Sequence, residues 1–187
     1  MRRFLLFCSI SILVSSCFYD PYIAQYRERE ASRVHVGEVY NSGTYVSRDI
    51  EIWTLPDSKK LDTFIETLRN AKKRIWIEVH ILTEKSTIAS LIDAKKRGVD
   101  VRVVLERNVY NTPFIHETLF RDLREANIEV VWANNDAFTF THAKFFLVDD
   151  TLFLSTGNLS YTTFTKNRDF VFVTREKEDI ALFESVF

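Results

Sequence analysis

Apolar side chains between residues 49 and 132 switch repeatedly between two periods, and this is the feature of the sequence that most restricts the fold. Stretches with period two predict β-strands, and the stretches between them, with apolar residues three and four apart, predict α-helices. The strand segments are Ile50–Ile52, Arg74–Leu82, Val99–Leu105 and Ile128–Trp132. The order β-α-β-α-β-α-β is typical of an α/β sheet with helices on both faces.

Residues at the ends of the predicted helices indicate where those helices begin and stop. Asp57 and Ser58 are suitable N-caps for the first helix, and Gly98 follows the end of the second. Thr112 and Pro113 supply a cap and an N1 proline, so the third helix is predicted to begin there.

Beyond residue 132 the pattern changes to a hairpin and a further strand. Lys144–Val148 and Leu152–Leu154 flank Asp149-Asp150-Thr151, which predicts two strands joined by a tight turn. Phe170–Val173 predicts one more strand, and a final helix is expected to begin near Glu178.

The N-terminus has the pattern of an export signal over residues 1–16. Arg2 and Arg3 precede an apolar run, Phe4–Val14, that is too short to span a bilayer as a helix. The run ends in Val14-Ser15-Ser16-Cys17, which resembles the lipobox of bacterial lipoproteins. That resemblance implies cleavage before Cys17, lipidation of its thiol, and a membrane anchor in the cell envelope on the periplasmic or outer-surface side. The alternative is an uncleaved amphiphilic N-terminus.

The rest of the chain is predicted to consist of a tether and one domain. Residues 17–48 are polar, mixed in charge and without sustained periodicity, and are interpreted as the tether. Residues 49–187 have the strand and helix pattern and are expected to form one domain with its own core. Cleavage before Cys17 also removes Cys8, so the mature chain has no pair of thiols for an internal disulfide.

Polar residues with a defined spacing lie in the C-terminal part of the chain. They are His142, Lys144 and Asp149, in the pattern H-x-K-x-x-x-x-D, followed by Thr156, Asn158, Asn167 and Asp169. The stretch from Thr141 to Phe170 resembles the HKD signature of the phospholipase D superfamily, and residues 50–105 are similar to the strand-helix-strand that precedes that signature. The resemblance covers about residues 49–187. It implies a phospholipase D-like mixed sheet flanked by helices on both faces.

The resemblance also implies covalent phosphodiester chemistry. If His142 and Lys144 lie two apart on one strand, their side chains project from the same face about 7 Å apart. His142 is then expected to attack phosphorus and form a phosphohistidine, while Lys144, Thr156 and Asn158 bind the phosphate oxygens. Asp169 is expected to hydrogen-bond the other ring nitrogen of His142 and fix its tautomer.

Asp149 completes the catalytic set of the motif, although its place in the predicted turn indicates that it orders the site without touching substrate. The sequence departs from the family pattern in three places. Ser155 stands where the family usually has glycine, Asp169 stands where it usually has glutamate, and the stretch from Asp149 to Asn158 is one residue shorter. The shorter side chain of Asp169 is expected to weaken its bond to His142 and to lower the rate.

No cofactor and no metal are expected. The four histidines, His35, His80, His116 and His142, lie in different elements, and no paired Cys/His spacing occurs. His35 and His116 are interpreted as solvent-exposed residues.

Two further groups have plain structural interpretations. Glu78 and His80 are read as a hydrogen-bonded polar pair at the end of the sheet, with a role in lining the pocket as the alternative. Four phenylalanines are expected to lie in the core. They are Phe138, Phe140, Phe145 and Phe146.

Phospholipase D sites are built from two motifs, whereas this sequence contains one. The second motif would come from a second copy in a homodimer, or from a longer parent protein that continues beyond Phe187. A phospholipid phosphodiesterase or phosphatidyl transferase is the preferred function, because of the export signal, the lipid anchor and a net charge of -1. Two alternatives remain. The single motif favours an envelope-anchored endonuclease, and the three departures favour a catalytically silent binding module. Nucleic acid is therefore a possible partner, but a less favoured one than phospholipid.

Overall fold

A mixed sheet of seven strands runs through residues 49–187, the part of the chain that the computed structural model describes. The strands are β1 (Ile50–Thr54), β2 (Arg74–Val79), β3 (Asp100–Leu105), β4 (Glu129–Trp132), β5 (Lys144–Val148), β6 (Thr151–Ser155) and β7 (Phe170–Thr174). The helices are α1 (Ser58–Asn70), α2 (Lys85–Lys96), α3 (Glu117–Glu125), α4 (Tyr161–Thr165) and α5 (Lys177–Val186). The predicted signal peptide, the lipidated Cys17 and the tether lie outside the described residues.

The order of strands across the sheet is β1-β7-β6-β5-β2-β3-β4. Strands β2, β3 and β4 are parallel and are joined through α2 and α3, as the alternating sequence pattern predicts. Strands β5, β6, β7 and β1 add to β2 in antiparallel fashion. The carboxyl ends of the three parallel strands and the amino end of β5 therefore meet at one edge of the sheet, because Val79 of β2 pairs with Lys144 of β5.

Both faces of the sheet are covered by helices, which confirms the predicted α/β class. Helices α1 to α4 pack on one face, over a large apolar core in which the ring of Phe64 contacts those of Phe146, Phe153 and Phe164. Helix α5 packs on the other face through Ile180, over a smaller cluster on β5 and β6. None of the described helices is long and apolar enough to cross a membrane.

Helix boundaries follow the sequence signals in two cases and depart from them in one. The carboxylate of Asp57 accepts the backbone N–H of Lys59 at the start of α1, and Gly98 takes a positive φ of 90° after α2. The prediction that the third helix begins at Thr112-Pro113 is wrong, because α3 begins at Glu117. Phe114 has a φ of 72°, in the left-handed region that a right-handed helix cannot continue through.

Candidate active site

The candidate catalytic cleft lies at the edge of the sheet where β5 begins. It has a volume of about 380 Å³ and brings together most of the residues that the motif singled out. They are His142, Lys144, Thr156, Asn158, Asn167 and Asp169. His142 precedes the first residue of β5, so it is not on the strand with Lys144 as expected, although both side chains line the same cleft.

Lys144 is the buried cation of the cleft. Its Nζ donates a hydrogen bond of 2.7 Å to the backbone oxygen of His142, so the ammonium and the imidazole belong to one rigid turn. Burial lowers the pKa of Lys144, and the nearby charge of Asp169 opposes that shift. A phosphate in the cleft would complete the solvation of this cation, and the cation would neutralise the phosphate oxygens.

His142 is the exposed nucleophile candidate. Partial burial lowers its pKa, and the charges of Lys144 and His80 lower it further. A lowered pKa keeps the imidazole neutral at neutral pH, with a lone pair available for attack. Its ring lies 5.0 Å from that of His80 and 6.1 Å from that of Phe140, measured between centroids.

Asp169 does not contact His142 as the resemblance implied. Its Oδ1 accepts a hydrogen bond of 2.8 Å from the hydroxyl of Thr156, and no hydrogen bond joins it to His142 within residues 49–187. The Thr156 hydroxyl in turn accepts the N–H of Phe170 at 3.0 Å. Aspartate is one methylene shorter than the usual glutamate, and here it orients Thr156 instead of the nucleophile.

The turn after β6 requires a glycine because it passes close to two side chains. A Cβ on Gly157 would lie 2.4 Å from Cγ2 of Thr163 and 2.7 Å from the carboxylate of Asp169. The next residue, Asn158, has a buried Oδ1 without a hydrogen-bond partner among the described residues. Asn158 also lines the cleft, and its amide N–H groups are the kind of donor that a bound phosphate requires.

Asp149 lies at the opposite end of β5 from His142 and is not among the residues that line the cleft, so the structure does not bring it together with the rest of the motif. Its carboxylate accepts the backbone N–H groups of Lys72, Lys73 and Arg74 at 2.8–3.1 Å, which ties the β5–β6 hairpin to the start of β2. Burial opposes ionisation of Asp149, but these three hydrogen bonds outweigh it and hold its pKa below the ordinary value. Asp149 therefore has the ordering role that its turn position indicated.

Glu106, which the sequence analysis did not identify, fixes the loop that holds His142. It is fully buried at the end of β3, and its carboxylate accepts the N–H groups of Thr141 and Asn108, each at 2.7 Å. An acidic residue that directly follows a buried strand was the only signal of this role. Thr141 immediately precedes His142, so Glu106 determines where the catalytic turn begins.

His116 is buried, so the expectation that it is solvent-exposed is wrong. Its Nε2 accepts the N–H of Leu82 at 3.1 Å, and its Nδ1 lies 2.8 Å from the backbone oxygen of Glu106. Because the first contact needs a lone pair and the second a proton, the ring is the neutral Nδ1–H tautomer. Burial lowers the pKa of His116, in keeping with a neutral ring that links the segments after β2 and β3.

The phenylalanines fall into two groups. Phe145 and Phe146 are buried in the core, as expected, whereas Phe138 and Phe140 are exposed at the edge of the sheet that carries the cleft. The expectation that Phe138 and Phe140 are core residues is therefore wrong. Within residues 49–187, no group of three His, Cys, Asp or Glu side chains is arranged to hold a metal ion.

A family model described as "Cardiolipin synthase, PLD-like domain" matches residues 64–187, which is well over half of the chain. The chain therefore belongs to the phospholipase D superfamily, whose members are phosphodiesterases and transferases. Among curated proteins, none is significantly similar to it in sequence.

Solved structures show the same fold at low sequence identity. Nuc from Salmonella typhimurium, a phospholipase D family member, is 22% identical, with a TM-score of 0.63 over 74% of this chain and 91% of Nuc. NucT from Helicobacter pylori is 17% identical, with a TM-score of 0.62 over 75% of this chain and 93% of NucT. A phosphatidylserine synthase from Haemophilus influenzae is 18% identical, with a TM-score of 0.57 over 72% of this chain and 35% of the synthase.

Proposed function

We propose that the chain is a phosphodiesterase that acts on phospholipids, by hydrolysis or phosphatidyl transfer, through a phosphohistidine on His142. The observation that carries the chemistry is an exposed imidazole and a buried ammonium that line one cleft, with the ammonium bonded to the backbone oxygen of His142. A ring nitrogen of His142 forms a bond to phosphorus as the bond from phosphorus to the leaving alcohol breaks. Water or a second alcohol then attacks phosphorus and releases His142.

The phosphate oxygens would be bound by residues that have no other charged partner at hydrogen-bond distance. Lys144 contributes a positive charge, and Asn158, which lines the same cleft, contributes the N–H groups of its amide. The Thr156 hydroxyl is already committed to Asp169 and to the N–H of Phe170, so Thr156 shapes the cleft more than it donates to substrate.

The leaving alcohol needs a proton donor on the far side of phosphorus from His142. His80 does not meet this requirement, because its ring is in contact with that of His142 and leaves no room for a phosphoryl group between them. We infer that a second copy of the chain supplies its own His142 as the acid, in a symmetric dimer with the clefts facing each other. His142 is exposed. This exposure fits a residue that must reach the active site of a second copy when two half-sites meet.

The apolar surface at the edge of the sheet that carries the cleft favours a lipid over a nucleic acid as substrate. The segments after β3 and β4 expose five large apolar side chains at the catalytic edge. They are Tyr110, Phe114, Ile115, Phe138 and Phe140. In the same segments, residues 107–116 and 133–143, the only lysine or arginine is Arg107, which pairs with Glu117. A polymer of phosphates is bound mainly by lysine and arginine, whereas an apolar rim beside a phosphate site fits a molecule with acyl chains.

The purified full-length protein tests this proposal on labelled phosphatidylcholine vesicles, cardiolipin vesicles and single-stranded DNA. Phosphatidate or a transphosphatidylated lipid should form, and His142→Asn should reduce its formation by at least about 10³-fold. Asp150→Asn, on the exposed turn at the other end of β5, is the matched control and should keep full activity. Label retained on the wild type in acid-labile form would mark the phosphohistidine.

Two outcomes would overturn the proposal. Cleavage of DNA without turnover of lipid would favour the endonuclease alternative, which the fold alone does not separate from a lipid enzyme, since Nuc and a phosphatidylserine synthase share it. A folded protein that turns over none of the three substrates would favour the silent binding module.

The dimer is tested by mixing. If each active site needs two copies of His142, excess His142→Asn protein should trap wild-type chains in inactive mixed dimers. Turnover per wild-type chain should then fall, whereas the same excess of Asp150→Asn protein, which is itself active, should not lower it. The shared site would be excluded if the two variants had equal effects on wild-type turnover. It would also be excluded if the specific activity stayed constant on dilution to concentrations at which the protein is a monomer.

A further inference from the structure

His80 contacts the catalytic turn on both sides of His142. Its backbone N–H donates to the oxygen of Ala143 at 3.1 Å, and its Nδ1 lies 2.8 Å from the oxygen of Thr141. Between these two contacts, its ring meets the ring of His142 at an interplanar angle of 62°. One residue at the end of β2 therefore bonds to both neighbours of His142 and packs against its side chain.

The hydrogen bonds of His80 determine its tautomer. A carbonyl oxygen only accepts, so Nδ1 carries a proton and, in the neutral ring, Nε2 carries the lone pair. The partner Thr141 is itself fixed, since its hydroxyl donates to Glu78 and its N–H donates to Glu106. Glu78 and Glu106 therefore fix Thr141, and Thr141 in turn fixes the ring of His80 that packs against His142.

We propose that His80 is a positioning residue for His142, holding the ring of the nucleophile in place through the ring contact and through its bonds to Thr141 and Ala143. The same contact brings the charges of the two imidazoles together. This inference rests on the proposed function, because it assigns His80 a role relative to that nucleophile. His80 supports the ring from the β2 side and does not touch the reacting phosphorus.

The pH at which His142 takes up a proton depends on the charged groups around it. Lys144 lies on the same segment as His142, and His80 lies at the end of β2. Burial is the largest cause of the lowered pKa of His142, and the charges of Lys144 and His80 lower it further. Asp169, before β7, acts on Lys144, while the carboxylates of Glu78 and Glu106 bind Thr141. The positive charge of His80, packed against the ring of His142, therefore opposes protonation of the nucleophile.

The experiment is an NMR titration of the imidazole of His142 in the full-length protein, with the resonance assigned by its loss in His142→Asn. In His80→Tyr and His80→Ala the neighbouring charge is gone, so the His142 titration should move to higher pH in both. Any diester activity should show a parallel shift of its acid limb. Tyrosine keeps a ring and a donor next to His142, so kcat should stay within about threefold of wild type, whereas alanine should lower kcat by about tenfold or more with KM little changed.

The outcomes separate this inference from the proposed function. An unchanged His142 titration in both His80 variants would overturn it, whether or not the protein turns over phospholipid. A shifted titration in a protein without turnover would support the coupling while refuting the proposed activity. Equal loss of kcat in His80→Tyr and His80→Ala would refute the positioning role.

Discussion

Gly157→Ala is the substitution for which the structure gives the most specific expectation. The added Cβ would lie 2.4 Å from Cγ2 of Thr163 and 2.7 Å from the carboxylate of Asp169. Ordinary contacts between carbon atoms are about 3.5–4 Å, so both neighbours would have to move by close to 1 Å. Neither is free to do so, because Thr163 is buried and hydrogen-bonded to Ser160, and Asp169 is held by Thr156.

Overpacking of this kind typically costs about 1–3 kcal/mol, and two fixed neighbours place Gly157→Ala near the upper end. Thermal unfolding should show a decrease in Tm of about 5–10 °C. Gly98→Ala is the matched control, since a Cβ there meets nothing within 4 Å and the cost comes only from the positive φ of 90°. That cost is about 1 kcal/mol, and it should leave phosphodiesterase activity unchanged.

A double substitution separates the two clashes. Thr163→Ser removes Cγ2 and keeps the hydroxyl that bonds to Ser160, so Gly157→Ala should be less destabilising in its presence, with a coupling above about 0.5 kcal/mol. Gly157→Ala should also lower activity by displacing Asp169, and the double variant should stay low because that contact remains. Additive effects of the two substitutions, or a Tm for Gly157→Ala no lower than that of Gly98→Ala, would refute the packing argument.

Three further predictions follow from other parts of the domain. Asp149→Asn should lower the free energy of unfolding, measured by urea denaturation, by about 1.5–3 kcal/mol at neutral pH. Because the pKa of Asp149 is depressed in the folded state, the difference from wild type should shrink as the pH falls through that pKa. The exposed Asp150→Asn should lower it by less than about 1 kcal/mol. Tyr110→Ser with Phe114→Ser should lower turnover of vesicle phospholipid about tenfold and leave a soluble diester, bis(p-nitrophenyl) phosphate, unaffected; equal effects on both would argue against a lipid-binding rim. EDTA should leave the rate unchanged, and a loss that zinc or magnesium restores would contradict the mechanism.

Features that depend on neighbouring residues were predictable from the sequence. The period-two and period-3.6 segments became strands and helices because each buries one face against the same sheet. The hairpin at Asp149 formed where two apolar runs are separated by a polar turn, and Asp149 takes a φ of 49°, a conformation that aspartate tolerates better than most residues. The resemblance to phospholipase D correctly grouped His142, Lys144 and Asn158 in one cleft.

Features that depend on distant partners were not predictable in this way. His116 is buried because its two ring nitrogens meet Leu82 and Glu106, which lie 34 and 10 residues away in the sequence. Its local sequence, a turn after Pro113, is typical of an exposed loop. Glu106 is a buried acid whose N–H partners come from the segment before β5 and from its own loop, and neither pairing has a periodic signal.

Two differences from the expected site are physically related. The resemblance implied that the carboxylate at position 169 orients His142. The carboxylate of Asp169 instead accepts a hydrogen bond from Thr156, so the His142 ring lacks that bond. The same ring is supported instead by the edge-to-face contact with His80 and by the bonds of His80 to Thr141 and Ala143. A ring contact constrains position, whereas a carboxylate would also stabilise the imidazolium. His142 in this chain is therefore biased toward the neutral form, which favours attack on phosphorus but makes a poorer acid for the leaving group. In the proposed dimer, that imbalance makes the surroundings of the partner copy's His142 important, because the imidazole that donates the proton must first acquire one.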